Sequence, residues 1–382
     1  MLKKIVIKNI NSIEKCEIDF AKGNYKFAEE NVMEGLVNPI AIYGHNGSGK
    51  SAVLTAIGYF ISMMFFPAEA LIPFVVNDFL FQEYLQGNRQ DKSKIKGSVC
   101  VDFDINDDSF EYFLETSRDG YISDEYLKKN DQVYFSRQNR KYSYKGINKN
   151  INDYSPLVPL LRILASLEIM DTTIQSVFAY VSSFTFVNLP FMNRGSFVVS
   201  KTFNNMNIND LLVKKSEEVK KLLKEYDSFP IYTITKNDAF MPNGLIASQY
   251  NLVFDEDGFK KKIPLQMIST GMYNQSLLLS IIATMPENGA VFIDEADLAL
   301  HPSTIQSFLK VIREKRIQVV LTLHNTYALQ MLRPDQVYFA KWSKGFSNYY
   351  RLSKIYPNIR EVNNIEKMYL SSLFDGAIEE DA

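Results

Sequence analysis

The chain has 382 residues, of which 46% are hydrophobic, 13% aromatic and 23% charged, a composition typical of a soluble globular protein with little disorder outside its acidic C-terminal tip. Its formal net charge of −2 gives no overall attraction to nucleic acid or to an anionic membrane, so polyanion binding would need a local patch. The two cysteines, Cys16 and Cys100, lack the spacing of a metal site and indicate a reducing compartment, so we expect a cytoplasmic protein.

The N-terminal part of the chain predicts strands followed by one long helix. Hydrophobic residues alternate from Lys3 to Ile10 and from Ile13 to Phe20, as in half-buried strands. A short β-like run, Ile40 to Tyr43, then leads into a glycine-rich turn and a helix from about Lys50. The apolar run from Ala52 to Phe66 is shorter than the roughly 20 residues that span a bilayer. We therefore predict a helix buried against a sheet, and no membrane span.

The middle of the chain predicts a β meander and then helices. Short alternating segments between Ser98 and Tyr144 are separated by turn residues, as in antiparallel strands. The pattern from about Pro156 to Tyr226 is mainly helical, and its clearest helix runs from Leu211 to Tyr226. A hairpin is predicted from Gln249 to Leu265.

The C-terminal part returns to alternating helices and strands. Two helices and two strands are predicted there: Tyr273 to Met285, Thr304 to Glu314, Ala290 to Ile293 and Gln318 to Thr322. Because both ends of the chain alternate strand and helix, we expect them to form one sheet, with the middle as an elaboration.

A phosphate-binding motif follows the strand that ends at Tyr43. Eight consecutive residues match G-x-x-x-x-G-K-S: Gly44, His45, Asn46, Gly47, Ser48, Gly49, Lys50 and Ser51. Glycines let backbone N–H groups surround a phosphate at a helix N-terminus, Lys50 reaches the β- and γ-phosphates, and Ser51 ligates Mg²⁺. A chance match in a chain of this length has a probability of about one in a hundred. The preceding strand and the following helix favour a nucleotide site further.

An acidic pair ends a strand in the C-terminal part. The run Val291 to Ile293 is continuously apolar, as in a parallel sheet covered on both faces, and Asp294 and Glu295 follow it. Two acids at a strand end are on their own more simply explained as solvated side chains. Downstream of a P-loop they are the pair expected for ATP hydrolysis. Asp294 would then hold Mg²⁺ through water, and Glu295 would orient or deprotonate the attacking water.

The three histidines occupy different kinds of position. His324 ends the strand after the acidic pair, at the edge where α/β sheets bind ligands, and we expect it to contact the γ-phosphate. His301 lies in a Leu-His-Pro segment, and we expect a structural role in a turn. His45 lies in the P-loop and is expected to contribute its backbone rather than its imidazole.

A second candidate anion site precedes the helix that starts near Tyr273. Ser269 and Gly271 lie just before this helix, and a serine and a glycine at a helix N-terminus can bind an anion. Alone, this segment predicts only a capped helix. Its position shortly before the acidic pair favours a nucleotide contact.

These four motifs, in this order, resemble those of the ATP-binding cassette (ABC) ATPases. The segments KKIVIKNINSIEKCEIDF, GHNGSGKS and FIDEADLALHP resemble the RecF/SMC-like branch, and most of all the AAA-type ATPases of bacterial phage-defence and abortive-infection systems. The segment Tyr369 to Ile378 resembles the tail of that group. The resemblance covers roughly residues 1–59 and 266–378.

The resemblance implies an α/β fold, namely an ABC-type P-loop NTPase with a mixed or parallel sheet core, an antiparallel β meander and a helical lobe. We expect four regions: the N-terminal part of the core at 1–97, the meander at 98–150, a mainly helical lobe at 151–248 and the C-terminal part of the core at 249–382. The implied cofactors are ATP and Mg²⁺. The residues implied to serve one nucleotide are Lys50, Ser51, Asp294, Glu295 and His324.

The resemblance also implies a homodimer that forms through ATP, in which Ser269 and Gly271 reach the γ-phosphate bound by the partner copy. The signature segment is STGMYNQ rather than the SGGQ form of transporters, which leaves the contacts after Gly271 open. The glutamine that links Mg²⁺ to the helical lobe in this family has three candidates, and the sequence does not choose between them: Gln82, Gln138 and Gln175.

A basic and aromatic cluster lies in the meander. Its members are Tyr134, Phe135, Arg137, Arg140, Lys141, Tyr142, Tyr144 and Lys145. Such residues can hold nucleic acid by phosphate contacts and stacking, but they equally suit an exposed hairpin with core-facing aromatic rings. Because the net charge gives nucleic-acid binding no support, we favour the hairpin.

Three functional hypotheses follow. The first is an ATPase that closes as a homodimer over two ATP molecules and, as the resemblance implies, senses or regulates phage infection by controlling a separate effector, a nuclease or toxin. The second is a RecF-like DNA-repair ATPase, which predicts ATP-dependent DNA binding with a steep salt dependence. The third is a scaffold that holds ATP with little turnover and cages a partner protein.

Overall fold

The structure is a computed structural model. It describes residues 1–67, 96–117, 120–145, 147–150, 154–167, 171–189, 197–201, 207–224, 231–240, 246–256, 259–298 and 302–374. Its helices are α1 (Lys50–Met63), α2 (Leu160–Ser166), α3 (Thr172–Ser182), α4 (Ile208–Lys214), α5 (Ser216–Lys224), α6 (Thr270–Thr284), α7 (Pro302–Glu314), α8 (Leu352–Ile355) and α9 (Ile365–Leu370).

The strands of the N-terminal half are β1 (Leu2–Ile10), β2 (Ile13–Asp19), β3 (Val32–Met33), β4 (Leu36–Val37), β5 (Ile40–Tyr43), β6 (Lys96–Ile105), β7 (Asp108–Ser117), β8 (Ile122–Lys129), β9 (Gln132–Gln138), β10 (Lys141–Tyr144) and β11 (Ile147–Asn150). Those of the C-terminal half are β12 (Thr185–Asn188), β13 (Phe197–Val199), β14 (Tyr232–Phe240), β15 (Ile246–Glu256), β16 (Phe259–Pro264), β17 (Ala290–Asp294), β18 (Gln318–Thr322), β19 (Val337–Ser343) and β20 (Phe346–Arg351).

Most of these strands form one mixed sheet, as predicted. Within the described residues it has 15 strands in the order β11-β10-β9-β8-β7-β6-β1-β2-β20-β19-β5-β18-β17-β12-β13. The limb from β11 to β2 is antiparallel and contains the predicted meander. The limb from β19 to β12 is parallel. The two limbs meet where β2 pairs with β20 at Ile13 and Ser347.

One strand of the parallel limb comes from the region predicted to be mainly helical. β12 pairs with β17, with Thr185 opposite Val291 and Asn188 opposite Asp294. Its four residues are all buried and show no alternation, so the sequence pattern does not distinguish this strand from a buried helical turn. The expectation that the middle only elaborates the core is therefore wrong at β12.

Helix α1 is buried between the two limbs, as the apolar run predicted. It contacts β12 and β17 of the parallel limb and β1, β2 and β6 of the antiparallel limb. A helix that is apolar on nearly all sides needs such cover. Gly58 allows the closest approach, since a Cβ at this position would lie 2.5 Å from Cδ1 of Phe186 in β12. No helix in the described part of the chain is long and apolar enough to cross a membrane.

A smaller unit precedes α6. The predicted hairpin at 249–265 is confirmed as β15 and β16, and β14 adds a third strand. Its turn, residues 257–258, lies outside the described residues. The single helix predicted from Leu211 is instead two, α4 and α5, separated at Lys215. Lys215 between them has φ −98° and ψ 2°, outside regular α-helical geometry, and the Ser216 hydroxyl accepts a hydrogen bond from the backbone N–H of Ile234, which ties the start of α5 to β14.

Candidate functional site

Four parallel strand ends meet at one edge of the sheet. These strands are consecutive in the order β5-β18-β17-β12, and they end at Tyr43, Thr322, Asp294 and Asn188. Parallel strands present their carboxyl ends at the same edge, which is where α/β sheets bind ligands. The P-loop, the acidic pair and the segment that contains His324 therefore lie side by side.

At two positions the P-loop has a backbone conformation and a closeness of packing that only glycine allows. Gly44 has φ 151° and Gly49 has φ 97°. A Cβ at Gly44 would lie 2.3 Å from the carbonyl oxygen of Ala340, and one at Gly49 would lie 2.0 Å from Oγ of Ser347. Strands β19 and β20 thus form the floor of the loop. The Tyr349 hydroxyl of β20 also donates a hydrogen bond to the carbonyl oxygen of Gly49, at 2.7 Å.

Lys50 folds back over the loop. Its Nζ donates hydrogen bonds to the carbonyl oxygens of Gly44 (2.8 Å) and His45 (3.2 Å). Burial lowers the pKa of Lys50, and the carboxylates of Asp294 and Glu295 oppose this effect. The His45 side chain is exposed, so it is the backbone of His45 that contacts Lys50.

Asp294 connects the P-loop helix to two strands. It is 2% exposed, and its Oδ1 accepts hydrogen bonds from Oγ of Ser51 (3.0 Å) and from Oγ1 of Thr322 (2.5 Å). Ser51 lies in the first turn of α1, so the P-loop and the acidic pair touch although 243 positions separate them. Thr322, which the sequence did not single out, is a second direct partner of Asp294.

Glu295 has an unusual backbone conformation. Its φ is 51°, in the left-handed region that side chains other than glycine rarely occupy. Its N–H donates to Oγ1 of Thr322 at 2.7 Å, and this bond supports the conformation. Burial raises the pKa of the Glu295 carboxyl, the neighbouring Asp294 raises it further, and His324 opposes the rise. A partly exposed carboxyl with a raised pKa is suited to accept a proton from water.

His324 lies in a loop held by the segment after the acidic pair. The backbone N–H groups of His324 and Asn325 both donate to Oδ2 of Asp297, at 2.7 Å each. The side chain of Asn325 accepts from the N–H of Tyr327 and so caps the short 3-10 helix Thr326–Gln330. The His324 imidazole is left exposed.

Asn188 belongs to the same edge and was missed by the sequence analysis. It lies opposite Asp294 on the neighbouring parallel strand, so both side chains project from the same face of the sheet. The residue is 8% exposed, and its Oδ1 has no hydrogen-bond partner in the described part of the chain. Buried amide oxygens normally have a partner, so this atom is open to a ligand. In the sequence, Asn188 is the polar residue that ends the segment TFVN, but this segment was not predicted to be a strand.

The signature segment lies at the exposed start of α6. Oγ of Ser269 accepts a hydrogen bond from the N–H of Met272 at 3.3 Å, so Ser269 caps the helix. Ser269 and Gly271 are exposed, and a Cβ at Gly271 would meet nothing within 4 Å. The later motif residues Asn274 and Gln275 are 1% and 2% exposed, so they face the interior.

Other predicted candidates lie away from this edge or outside the described residues. Gln138 ends β9 and pairs with Lys141 in the antiparallel limb. Gln175 donates to the carbonyl oxygen of Ala165 at 2.9 Å and so joins α3 to α2. Gln82, His301 and the last residues of the tail segment, 375–378, are not among the described residues.

The basic and aromatic cluster of the meander is largely structural. Phe135 and Arg137 are 1% exposed, and the Arg137 guanidinium donates to backbone carbonyl oxygens. The hydroxyls of Tyr134 and Tyr144 donate to Oδ2 of Asp171, at 2.7 and 2.5 Å. The interpretation of this segment as a hairpin with core-facing aromatic rings is therefore confirmed.

Comparison with solved structures gives the class of fold. The chain is similar to an SMC head bound to the C-winged helix domain of ScpA, with a TM-score of 0.50 and 14% identity over 92% of this chain and 99% of that chain. It is also similar to the SMC head domain from Thermotoga maritima, with a TM-score of 0.45 and 13% identity over 92% of this chain and 98% of that one. The mixed sheet, the P-loop and the acidic strand end define an ABC-type P-loop ATPase fold of the SMC-head kind.

The family assignment is more specific. The family described as "AAA domain, putative AbiEii toxin, Type IV TA system" matches residues 40–330, and the chain belongs to this family. The matched range runs from β5 through the P-loop and the acidic pair to the loop after His324. A search of curated proteins found no match. The predicted resemblance to abortive-infection AAA proteins is confirmed by the family match, and the predicted ABC-type fold by the likeness to the SMC head.

Proposed function

We propose that this protein binds Mg-ATP at the edge formed by β5, β18, β17 and β12, and that it hydrolyses the γ-phosphate slowly. The observation that carries the proposal is the direct contact between Ser51 of the P-loop helix and Asp294 of the acidic pair, beside Lys50 and Glu295. A phosphate binder, a candidate cation ligand and a candidate base are thus assembled within one chain.

The residues at this edge fit a magnesium ion. Mg²⁺ prefers oxygen ligands in a near-octahedral arrangement and usually keeps several waters. Ser51 supplies a hydroxyl and Asp294 a carboxylate, and Oδ1 of Asn188, buried and without a partner in the described residues, lies on the same face as Asp294. Oγ of Ser48, within the P-loop, is a second buried atom of this kind. When bound, the ion would neutralise charge between the β- and γ-phosphates.

The protein side chains would then perform the reaction mainly by positioning. Lys50 would exchange its bonds to the carbonyl oxygens of Gly44 and His45 for phosphate oxygens. Glu295 would orient a water molecule for in-line attack and accept its proton. His324 would donate a hydrogen bond to the γ-phosphate from the exposed side.

The second part of the proposal is that two copies close over two ATP molecules. Its support is the exposed N-terminus of α6, where Ser269 and Gly271 are free of side-chain cover while the interior residues of the same motif are buried. A helix N-terminus with exposed serine and glycine can bind the γ-phosphate of a nucleotide held by the other copy.

The proposed biological output is a sensor or regulator of phage defence that controls a separate toxic effector. The support for a defence role is the family description, which names an AbiEii toxin and a type IV TA system; the separate effector goes beyond that description and is part of our proposal. The solved SMC head that shares this fold carries a domain of ScpA, so a head of this kind can hold a partner protein.

The direct test is to measure ATP binding and ATP hydrolysis separately. Lys50→Ala should lose binding, whereas Glu295→Gln should keep binding and lose turnover, because it keeps the shape but not the base. Matched controls are Lys310→Ala and Glu361→Gln, which change exposed residues of the same types away from the edge. If Lys50→Ala binds ATP as the wild type does, the proposed site is wrong.

The biological part needs a separate experiment. Cells that carry the chain with its neighbouring genes should resist phage, and Lys50→Ala should remove the resistance. The purified chain should carry a neighbouring gene product with it. Equal plating of phage with and without the chain would contradict the defence role while leaving the ATPase intact.

A further inference from the structure

The ends of β17 and β18 and the loops that follow them are joined by hydrogen bonds that run in both directions, one between two side chains and three between a side chain and the backbone. From β18, Oγ1 of Thr322 donates to Oδ1 of Asp294 at 2.5 Å and accepts from the N–H of Glu295 at 2.7 Å. From the β17 side, Oδ2 of Asp297 accepts from the backbone N–H groups of His324 and Asn325, at 2.7 Å each. We call these four hydrogen bonds the strand-end clasp.

The hydroxyl of Thr322 both donates and accepts a hydrogen bond. A hydroxyl has one proton to donate, and Thr322 gives it to Asp294 while a lone pair receives the Glu295 N–H. The residue is 0% exposed, so water does not compete for either bond. One side chain therefore fixes the Asp294 carboxylate and the Glu295 backbone relative to each other.

The clasp has a specific geometric task, because Glu295 is held at a φ of 51°. A glutamate at a positive φ is strained and persists only where neighbouring groups hold it. The bond from the Glu295 N–H to Thr322 acts directly on this peptide unit. Without it, the backbone is free to relax toward an ordinary conformation, which would turn the carboxylate away from its present direction.

We propose that Thr322 is a positioning residue for ATP hydrolysis, which aims Glu295 and holds Asp294 without touching the nucleotide itself. This rests on the proposed ATPase function. Asp297 performs the corresponding task for the backbone of His324, so the clasp fixes the candidate base and the candidate γ-phosphate donor in one frame. Thr322 is therefore required for turnover and not for nucleotide affinity.

The test compares three variants of the full chain. Thr322→Val removes the hydroxyl and keeps the shape, and Thr322→Ser restores the hydroxyl. The matched control is Thr185→Val, since Thr185 is also a 0% exposed strand threonine whose hydroxyl bonds to a side chain, Ser200, but it starts β12 at the opposite end of that strand. Each variant is measured for Mg-ATP affinity, for kcat and, without nucleotide, for hydrogen exchange of the Glu295 amide.

Thr322→Val should lower kcat by about 10- to 100-fold, the scale of a small misplacement of a catalytic group. Its Mg-ATP affinity should stay within about threefold of wild type, because the phosphate contacts are untouched and Ser51 still bonds to the Asp294 carboxylate. Exchange of the Glu295 amide should become roughly tenfold faster, since its acceptor is gone. Thr322→Ser should recover kcat and amide protection, and Thr185→Val should keep both.

Two results would overturn the inference. One is a kcat of Thr322→Val equal to that of Thr185→Val, and the other is Glu295 amide protection that does not change in Thr322→Val. Failure of the proposed function looks different, because then the wild type itself binds or hydrolyses no ATP, and Thr322 has no reaction to position. The exchange measurement needs no nucleotide, so it reports on the clasp in either case.

Discussion

Gly49→Ala tests the packing of the P-loop against its floor. The new Cβ would lie 2.0 Å from Oγ and 2.5 Å from Cβ of Ser347, and 3.1 Å from the Tyr349 hydroxyl. The positive φ of 97° costs a residue with a Cβ about 1–2 kcal/mol, and forcing an atom into a filled space costs about 1–3 kcal/mol more. We expect a loss of about 2–5 kcal/mol in the free energy of unfolding, measured by urea titration without nucleotide.

The matched control separates backbone strain from packing. Gly35 has φ 79°, and a Cβ there would meet nothing within 4 Å, so Gly35→Ala should cost only the strain of about 1–2 kcal/mol. In the double variant Gly49→Ala/Ser347→Gly the two nearest atoms are removed. Its loss in free energy of unfolding, after the effect of Ser347→Gly alone is subtracted, should approach the loss in Gly35→Ala. The reasoning is refuted if Gly49→Ala is no more destabilising than Gly35→Ala.

Three further predictions concern the buried polar side chains of Asn188, Asp171 and Arg137. Asn188→Leu should keep the free energy of unfolding within about 1 kcal/mol of wild type, because the lost Oδ1 has no partner among the described residues. It should raise the Mg²⁺ concentration for half-maximal binding of fluorescent ATP by about tenfold. An unchanged Mg²⁺ titration would show that Asn188 is not part of the cation site. For Asp171, burial alone would raise the pKa, but hydrogen bonds from Tyr144, Tyr134 and Lys145 outweigh it and hold the pKa below its usual range. Asp171→Asn should therefore lower the free energy of unfolding by about 1–3 kcal/mol at neutral pH. The difference from wild type should become smaller below about pH 4, where the carboxyl of the unfolded wild type is protonated. A difference that is constant with pH would contradict this reasoning. Arg137→Met should lower the free energy of unfolding, measured in urea, by about 1–3 kcal/mol, because Arg137 donates hydrogen bonds to three backbone carbonyl oxygens. A variant as stable as wild type would show that these bonds contribute nothing to stability.

The sequence predicted structural elements and motifs correctly where the residues that form them are neighbours in the chain. The P-loop is contiguous from Gly44 to Ser51, and the acidic pair directly follows an apolar run. The strands at 40–43 and 318–322 have the predicted bounds, because buried parallel strands bounded by turns have a clear pattern. Parallel strands share an edge, so the meeting of the P-loop, the acidic pair and the His324 segment followed from the order of elements.

Prediction from the sequence failed where a role depends on pairing across the chain. Asn188 becomes a neighbour of Asp294 only through the pairing of β12 with β17, and a buried four-residue strand carries no period to reveal it. Thr322 was seen as one residue of an apolar strand, and its task depends on contacts 27 and 28 positions away. Tyr349 supports the P-loop from 300 positions away, which no local pattern can show.

The middle of the chain shows the same limit for helices. Helical structure from Leu211 onward was predicted correctly, and it buries one apolar face, since Leu212, Val219 and Leu223 are buried. The break at Lys215 was not predicted; at this junction Ser216 bonds to Ile234 of β14, 18 positions away. The helical pattern of the sequence carries no signal for a contact of this kind.

The central claim, that ATP closes two copies of this chain over a shared site, is tested most directly by the solution mass of Glu295→Gln with and without Mg-ATP. This variant should bind ATP and stall before hydrolysis, so we predict a monomer without nucleotide and a dimer with it. Adding Ser269→Arg, which places a bulky cation at the exposed start of α6, should keep ATP binding and abolish the dimer. An unchanged mass at saturating Mg-ATP would contradict the claim.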